Sequence, residues 1–357
     1  MRPFSIVAFL AALGSAFLPC ASAAPLSQSG ESHAIELAER ESQYAGYAFF
    51  YFVGDNAGQE KVFAAVSKAN SPLTWDLVNG GNAFLTSSVG TGGARDPSVV
   101  RSGDGRKYFM LATDLQISKA GWAAAQRKGS RNMVVWETSD ITNWGAPRLV
   151  EVIDSTAGNV WAPEAMWNEA TKSYDVVFSA AIFDKSDTTH AGPFYQRVMK
   201  CSTVDFKTFT KPASYVDDGK NEFIDTTFLR GEDSHLYRFT KDENEPSLSN
   251  PNGKMVFEDV SSNGVDGPWR RLANSIGKNS IKVGEGPTAF ADNVVAGKYW
   301  LFIDEFGGRG YIPFSTSDIR SGIWSPASGY SEPSNKARHG TVLPVTLSEW
   351  KALRALI

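Results

Sequence analysis

The sequence predicts an all-β fold, a five-bladed β-propeller whose ring is closed by pairing of the N- and C-terminal strands. Four segments repeat one pattern at intervals of roughly 60 residues: a short inner strand, a polar turn and a second strand rich in aromatic residues. The inner strands begin near Asp96 (RDPSVV), Trp161 (WAPEAMW), Asp225 (IDTTFL) and Glu285 (EGPTAF). Units built only of strands must bury their faces against their neighbours, which is how propeller blades are stabilised.

A second recurring feature gives the number of blades. An aromatic residue follows a polar turn at five places: Trp75, Trp144, Phe209, Trp269 and Trp324. These marks indicate five blades, although only four inner strands lie between the first mark and the last. We therefore expect the fifth blade to combine both chain ends, with RHGTVLPVT (338–346) as its inner strand and YAFFYFVGD (47–55) and KVFAAVSKAN (61–70) as outer strands. Closing the ring in this way removes the open sheet edges that promote aggregation.

The start of the chain carries a targeting signal. Residues 1–23 combine Met1-Arg2, an apolar stretch and a small-residue cleavage tripeptide, which is the pattern of a secretory signal peptide. That stretch is too short to span a bilayer, and no later segment approaches about 18 uninterrupted apolar residues. We therefore expect a secreted, extracellular protein that does not bind a membrane. Residues 24–44 should form a polar lead-in, and residues 45–357 a single propeller domain.

Helical patterns are expected at two places. The tail LSEWKALRALI spaces Leu347, Trp350, Leu353 and Leu356 along one face of a helix, which should pack on the rim of the ring. The segment GWAAAQRKGS (121–130) should form one or two helical turns at the mouth of the first complete blade, where such insertions shape a pocket.

The composition excludes several functional classes. A formal net charge of -4 provides no basic field for nucleic acid. The sequence also lacks the His, Cys and carboxylate spacing of a catalytic zinc site. Removal of the signal peptide would leave Cys201 as the only thiol, so stability must come from packing and not from an internal disulfide. We expect a monomer that requires no cofactor.

Three carboxylates begin inner strands of different blades. Because inner strands converge on the propeller axis, Asp96, Asp225 and Glu285 should become neighbours at one end of the funnel, in the same place in each blade. Carboxylates crowded together repel one another, so at least one should keep its proton near neutral pH. An acid and a base of one residue class are what hydrolysis of a glycosidic bond requires. Taken alone, Asp96 before a proline and Asp225 before threonines could each simply stabilise a turn.

The motifs RDPSVV, WAPEAMW, FIDTTF, EGPTAF and RHGTVLPVT, in this order and spacing, resemble glycoside hydrolase family 43. These five-bladed propeller enzymes act on arabinofuranosides, xylosides and related pentose or galactose linkages, and the resemblance covers nearly the whole mature chain. It implies that Asp96 is the general base, Asp225 the residue that modulates pKa, and Glu285 the general acid of an inverting, single-displacement reaction. Asp225 would then raise the pKa of Glu285 by like-charge repulsion.

The resemblance extends to two further positions. Trp161 and Glu164 match a Trp-Ala-Pro-acid segment in which Asp is more usual, so Glu164 is expected to line the pocket without transferring a proton. His339 matches a histidine that is tied through water to a structural calcium ion on the axis; alternatively, it only satisfies neighbouring backbone groups. Further substrate-binding candidates lie beside the inner-strand starts or near the ends of second strands: Arg95, Arg238, Phe306, Arg309 and Arg338.

These observations lead us to expect a secreted enzyme that removes terminal pentose, α-L-arabinofuranose first, from plant cell-wall polysaccharide or oligosaccharide. A β-xylosidase and a β-galactofuranosidase or galactanase of the same family are alternatives. A fructan-cleaving propeller related to invertase is disfavoured, because no Trp-x-Asn-Asp-Pro segment is present and Gly286, not Cys, follows Glu285. A non-catalytic carbohydrate-binding propeller is disfavoured because all three acids are retained.

Overall fold

The computed structural model of the protein describes residues 44–357, which form five four-stranded antiparallel sheets. The inner strands of neighbouring sheets contact one another all the way round the ring, in the order β20 (Arg338–Thr346), β4 (Arg95–Arg101), β8 (Trp161–Asn168), β12 (Phe223–Arg230), β16 (Glu285–Ala291) and back to β20. The predicted five-bladed propeller is therefore confirmed. The signal peptide (1–23) and the lead-in up to residue 43 lie outside the described residues.

The strands are numbered in chain order, and each blade is given from the axis outward. The first blade contains β20 (Arg338–Thr346), β1 (Tyr44–Phe52), β2 (Phe63–Ala69) and β3 (Ser71–Leu77). The second contains β4 (Arg95–Arg101), β5 (Tyr108–Thr113), β6 (Asn132–Thr138) and β7 (Arg148–Glu151). The third contains β8 (Trp161–Asn168), β9 (Ser173–Ala181), β10 (Gln196–Thr203) and β11 (Ala213–Val216).

The fourth blade contains β12 (Phe223–Arg230), β13 (Leu236–Asp242), β14 (Val256–Ser261) and β15 (Arg270–Ala273). The fifth contains β16 (Glu285–Ala291), β17 (Tyr299–Glu305), β18 (Gly310–Thr316) and β19 (Ser325–Pro326). The aromatic marks in the sequence lie on the outermost strands or shortly before them, which is why one occurs in each blade.

Both faces of each blade are buried, because every blade is packed between two others. Along β1, Tyr47, Phe49 and Tyr51 point toward the fifth blade, whereas Ala48 and Phe50 point toward the second. This alternation follows from the two-residue period of a strand. Five separate apolar clusters result, one between each pair of neighbouring blades. Cys201 is a buried free thiol in the cluster between the second and third blades.

The chain ends close the ring as predicted. Strand β1 pairs with β20 from Tyr44 opposite Thr346 to Phe52 opposite Arg338. The final helix then packs across β1, β2 and β20. The Trp350 indole donates a hydrogen bond to the carbonyl oxygen of Ser67 (2.9 Å), and Arg101 forms an ion pair with Glu349 (2.6 Å). These contacts fasten the final helix to the first and second blades.

Three α-helices lie within the described residues: α1 (Ile117–Ala120), α2 (Trp122–Lys128) and α3 (Leu347–Arg354). The helical segment expected near 121–130 is α2, and the expected rim helix is α3, which begins with a capping box between Thr346 and Glu349. Of its predicted apolar face, only Leu353 is fully buried, whereas Leu347 and Leu356 are exposed. Between residues 44 and 357, no helix has the length and apolar character that crossing a bilayer requires.

Candidate active site

One end of the propeller axis opens into a cleft of about 480 Å³. The sequence-predicted residues that line it are Arg95, Asp96, Trp161, Asp225, Glu285, Phe306, Arg338 and His339. They come from all five blades or from the loops above them, as convergence of the inner strands requires. A larger groove of about 1170 Å³ lies on the flank of the second and third blades and contains none of the three predicted acids.

A shared backbone irregularity starts the inner strands of blades two to five. In each, two residues of the inner strand lie opposite a single residue of the second strand, which is a β-bulge. The first of these two residues has a left-handed conformation in each blade: Asp96 (φ 50°), Ala162 (φ 48°), Asp225 (φ 55°) and Gly286 (φ 52°). Strand β20 also has a register shift, at His339, between Arg338 and Gly340.

This alignment corrects one sequence prediction. Asp96 and Asp225 do occupy the same place in their blades, but Glu285 lies one residue earlier, in the position of Arg95 and Trp161. The bulge residue of the fifth blade is Gly286, and a Cβ there would lie only 2.6 Å from Cγ of His339. The glycine therefore makes room for the histidine between the blades.

Asp96 is held as a carboxylate by three neighbours. Thr113 donates a hydrogen bond from Oγ1 to Asp96 Oδ2 (2.7 Å), and Nδ1 of His339 lies 3.4 Å from Oδ1. Burial acts to raise the pKa of Asp96, but the charges of His339 and Arg95 and the hydrogen bonds outweigh it and hold this pKa below its usual range. Asp96 is thus ionised and oriented, as a general base must be.

His339 joins Asp96 to Asp225. Its Nδ1 lies 3.7 Å from Asp225 Oδ2, and although burial acts to lower the pKa of the ring, the nearby carboxylates of Asp225 and Asp96 raise it to about 9. Burial together with repulsion from Glu285 and Asp96 raises the pKa of Asp225, in spite of the opposing charges of His339 and Lys241. Asp225 is therefore the member of the acidic trio that retains a proton most readily.

Glu285 is clamped between two cations. Lys241 Nζ lies 2.8 Å from Oε2, and Nη2 of Arg338 lies 2.8 Å from Oε1. Burial acts to raise the pKa of Glu285, but Lys241 and Arg338 offset that effect, so the pKa lies below its usual value. We expected Asp225 to raise the pKa of Glu285; in this structure the direction is the opposite, because repulsion between the two carboxyls appears as a raised pKa of Asp225.

Aromatic side chains form the walls of the cleft. Phe52, Trp122, Trp161 and Phe306 all line it. The Trp122 ring stands on α2, is 48% exposed and meets Trp161 edge to face at 6.0 Å. Arg95 lies over the rings of Phe52 and Trp122 and forms ion pairs with Asp55 (2.7 Å) and Glu60 (3.2 Å). Rings of this kind present flat apolar faces that can pack against a sugar.

Two arginines that were predicted to bind substrate do not line the cleft. Arg238 is buried lower in the fourth blade, where Nη2 pairs with Asp259 (2.6 Å) and the guanidinium lies over the Trp269 ring. Arg309 follows the tight turn after Phe306 but points outward, to Glu305 (2.6 Å) and the carbonyl oxygen of Ser280. The prediction of both arginines as cleft residues is therefore corrected.

Glu164 lies on β8 three residues beyond Trp161, below the floor of the cleft. Its Oε1 accepts a hydrogen bond from Thr227 Oγ1 (3.2 Å). Burial raises the pKa of Glu164 to about 7. The prediction that Glu164 lines the pocket is corrected, because the bulge directs Trp161 into the cleft and places Glu164 deeper along the strand.

Sequence reasoning missed the residues that lie opposite the inner-strand starts. The bulges pair Arg95 with Thr113, Ile224 with Lys241, and Glu285 with Asp304. Thr113 holds Asp96, Lys241 holds Glu285, and Asp304 holds Arg338 through Nε (2.6 Å). The signal that could have found them is their place at or next to the ends of the second strands, in YFMLAT, LYRFTKD and YWLFIDE.

The expected calcium ion remains a prediction. Within residues 44–357, no group of three or more His, Cys, Asp or Glu side chains is arranged to share a metal ion. His339 instead faces two carboxylates, with its pKa raised to about 9, so the protonated ring itself supplies positive charge between them.

The chain is similar to known proteins at the level of a protein family and of a single curated sequence. The model of one protein family, described as a "Probable glycosyl hydrolase domain", matches residues 42–351. An "Alpha-L-arabinofuranosidase" from Bifidobacterium longum subsp. longum is 36% identical over 228 residues, covering 59% of this chain and 21% of that protein. The chain thus spans about a fifth of the length of this curated relative.

Two solved structures were also matched at lower identity. A thermostable family-43 glycoside hydrolase is 18% identical, with 70% of this chain and 77% of that chain covered and a TM-score of 0.47. An exo-β-1,3-galactanase from Phanerochaete chrysosporium, solved with galactose, is 17% identical, with 70% of this chain and 53% of that chain covered and a TM-score of 0.47.

Proposed function

Because this chain belongs to the family-43-related glycosyl hydrolases, we propose that it is a secreted, inverting glycosidase that removes terminal α-L-arabinofuranosyl residues from plant cell-wall polysaccharide or oligosaccharide. The observation that carries the mechanism is the meeting of Asp96, Asp225 and Glu285 in one aromatic-walled cleft, tied together by His339 and by the Gly286 amide, which donates to Asp225 Oδ2 (3.1 Å). The choice of arabinose is supported by the 36% identical curated arabinofuranosidase.

The reaction we propose is a single displacement. Ionised Asp96, oriented by Thr113 and His339, accepts a proton from a water molecule, and the water oxygen attacks the anomeric carbon of the terminal sugar. The bond from that carbon to the leaving oxygen breaks, and Glu285 donates a proton to this oxygen. The sugar product is released with inverted configuration, and the proton taken by Asp96 is later exchanged for the one lost by Glu285.

The proton that the acid donates is shared with its neighbour. Asp225 and Glu285 repel each other, so their titrations are linked and the pair loses its last proton in one macroscopic step. Lys241 and Arg338 favour the form with the proton on Asp225, and donation requires the form with the proton on Glu285. Activity should therefore need an ionised Asp96 and a singly protonated Asp225–Glu285 pair. This predicts a mildly acidic optimum of kcat/KM and a fall as the pH rises through neutrality.

The experiment that tests the proposal is hydrolysis of a panel of aryl glycosides, followed by digestion of arabinan and arabinoxylan. We expect release of arabinose, with kcat reduced by about 10³-fold or more in Asp96→Asn and Glu285→Gln while thermal unfolding stays close to that of the native protein. Proton NMR of the first-formed sugar should show the inverted anomer. Near-native rates in either variant, or a retained anomer, would contradict the assigned roles. Binding of glycans without release of sugar would instead indicate a carbohydrate-binding protein.

A further inference from the structure

One buried lysine contacts both the proposed acid and a carboxylate outside the reaction centre. Lys241 is 2% exposed, and its Nζ lies 2.8 Å from Glu285 Oε2 and 2.7 Å from Glu243 Oε2. The Phe306 ring covers the ammonium group at 4.3 Å from its centroid. A charge this deeply buried is retained only when it is paired, and here it has two carboxylate partners.

The lysine belongs to a row of alternating charges across the mouth of the cleft. On one side, Glu243 Oε1 is paired with Lys254 (2.9 Å), which also reaches Glu245 (3.3 Å). On the other side, Arg338 joins Glu285 (2.8 Å) to Asp304 (2.6 Å). Glu285 is thus contacted by a cation at each carboxylate oxygen, and each of those cations is balanced by a second acid. This arrangement holds the Glu285 side chain in one orientation.

The second acids also determine how strongly the two cations act on Glu285. A cation that contacts only Glu285 would hold the acid ionised and leave no proton to donate. Glu243 partly neutralises Lys241, and Asp304 partly neutralises Arg338, so the field at Glu285 is weaker than two free cations would produce. Glu243 is the more accessible of the two second acids, since its side chain is 25% exposed whereas that of Asp304 is fully buried.

We propose that Lys241 is a positioning residue for glycoside hydrolysis: it fixes Glu285 toward the cleft and, with Glu243 as its counter-charge, sets the pH at which the Asp225–Glu285 pair loses its last proton. This inference rests on the proposed function. Lys241 and Glu243 lie at the end of the second strand of the fourth blade, whereas Glu285 begins the fifth blade. The position and the titration of Glu285 therefore depend on contacts across the interface between these two blades.

The charged groups around Glu285 determine the sign of each expected effect. Lys241 and Glu243 face it from the β13 end, Lys254 from the loop before β14, Asp304 from β17, Arg338 and His339 from β20, and Asp225 from β12. Removing the positive charge of Lys241 leaves Arg338 and His339 as the cations, so the pair should keep its last proton to higher pH. Removing the negative charge of Glu243 has the opposite effect, because Lys241 then acts on Glu285 without a competing partner.

The test compares four proteins: the native chain, Lys241→Met, Lys241→Arg and Glu243→Gln. The pH dependence of kcat/KM on an aryl α-L-arabinofuranoside should show an alkaline limb displaced upward by about one pH unit in Lys241→Met and downward in Glu243→Gln. Lys241→Arg keeps the charge and should leave the limb near its native position, although kcat can fall. If Lys241 had a purely structural role, its replacement would lower activity without moving the alkaline limb. The proposal would be overturned if the limb moved in the same direction in Lys241→Met and Glu243→Gln, or moved in neither.

A second measurement does not depend on turnover. Carbon-13 NMR of protein labelled at the Asp225 and Glu285 carboxyl carbons follows the titration of the pair directly. Its midpoint should move to higher pH in Lys241→Met and to lower pH in Glu243→Gln. If Lys241→Met does not fold, Glu243→Gln alone provides the test. The titration midpoint of the Asp225–Glu285 pair should then fall, and an unchanged or raised midpoint contradicts the inference. If the native chain hydrolyses no glycoside, the proposed function fails, whereas the NMR result still confirms or refutes the control of the pair by Lys241.

Discussion

Buried carboxyl groups in this molecule differ in their neighbours, and that difference decides which of them carry charge. Asp96 has a histidine, an arginine and a threonine hydroxyl around it, so its pKa is lowered in spite of burial. Glu258 on β14 is fully buried, and none of the ion pairs among the described residues involves it. Its Oε2 accepts a hydrogen bond from the Trp324 indole (2.8 Å), and its Oε1 has no hydrogen-bond partner among the described residues. Burial raises the pKa of Glu258 to about 8.

Glu258 should make the folded protein less stable as the pH rises. A carboxyl whose pKa is higher in the folded state than in the unfolded state favours folding fully at acidic pH, and this contribution is lost as the pH rises from about 4.5 through about 8. Glu258→Gln keeps an acceptor for Trp324 and removes the ionisation. At pH 9 the variant should exceed the native protein in free energy of unfolding by on the order of 2–4 kcal/mol, with little difference at pH 5.

Denaturant unfolding at the two pH values measures this effect. Glu169→Gln is a suitable control, because the Glu169 side chain is 72% exposed and should show no comparable dependence on pH. A Glu258→Gln variant that is destabilised equally at pH 5 and pH 9 would show that the native carboxyl is not protonated in the folded state.

At the scale of single strands, the bulge explains which parts of the site were predictable from sequence. The inner strands were recognisable because they share short apolar runs and a polar start. The exact register of Glu285 could have been predicted by aligning Pro97, Pro163 and Pro287, which occupy equivalent positions just after the bulge residue. Lys241 was missed because side chains alternate along a strand, and the sequence alone does not show which residues at the end of β13 face the cleft.

Other misplacements have a different origin. Arg238 lies three residues before Lys241, or about 10 Å lower along β13, and faces the third blade instead of the cleft. Neither its charge nor its position near a strand end distinguishes it from a binding arginine in the sequence. Arg309 points outward because the turn after Phe306 directs only the aromatic ring inward. Such loop directions depend on contacts with distant segments, which a single sequence does not reveal.

The bulge of the fifth blade leads to a prediction for Gly286→Ala. An added methyl group would lie 2.6 Å from Cγ of His339 and should push the ring away from Asp96 and Asp225. Alanine itself tolerates this backbone conformation, since Ala162 adopts it at the equivalent position of the third blade with φ 48°. We expect kcat to fall by about 10-fold or more from misplacement of His339, with a modest loss of stability.

Steady-state kinetics and thermal unfolding of Gly286→Ala separate the two effects. Ala162→Gly is the matched control, because it makes the reverse exchange at the equivalent bulge and creates no contact with His339. A Gly286→Ala enzyme with native kcat would show that the position of His339 is not critical for the reaction. The contacts of His339 with Asp96 and Asp225 would then not be required for catalysis.

For the molecule as a whole, ring closure and the reaction centre depend on the same strand. Strand β20 completes the first blade, and it also contributes Arg338 and His339 to the cleft. The number of blades and the role of both chain ends were predictable, because the repeat count left one inner strand missing. The position of Glu164 below the cleft was not predictable from the sequence. It depends on how the bulges of the inner strands set the depth of each side chain along the propeller axis.

Gly340 is the position at which this closure should be most sensitive. A Cβ there would lie 2.0 Å from the carbonyl oxygen of Phe50 and 2.7 Å from Cα of Tyr51, which are backbone atoms of β1. Gly340→Ala should therefore separate β20 from β1 and lower the free energy of unfolding by on the order of 3 kcal/mol or more.

The control is Gly219→Ala, where an added Cβ meets no atom within 4 Å and only a positive φ of 85° opposes the change. That substitution should cost about 1 kcal/mol. Thermal and denaturant unfolding of the two variants give the comparison, and similar losses in both would mean that the β1–β20 contact is not the sensitive point of the ring.

The antiparallel pairing of β1 and β20 also fixes where an attachment can be made. Phe52 and Arg338 meet beside the cleft, whereas Tyr44 and Thr346 meet at the opposite end of the same blade, roughly 25 Å away along the strands. A tether or solid support coupled beside Tyr44 would therefore lie on the side of the propeller away from the cleft. Immobilised in this way, the protein would keep its opening directed toward an insoluble fibre.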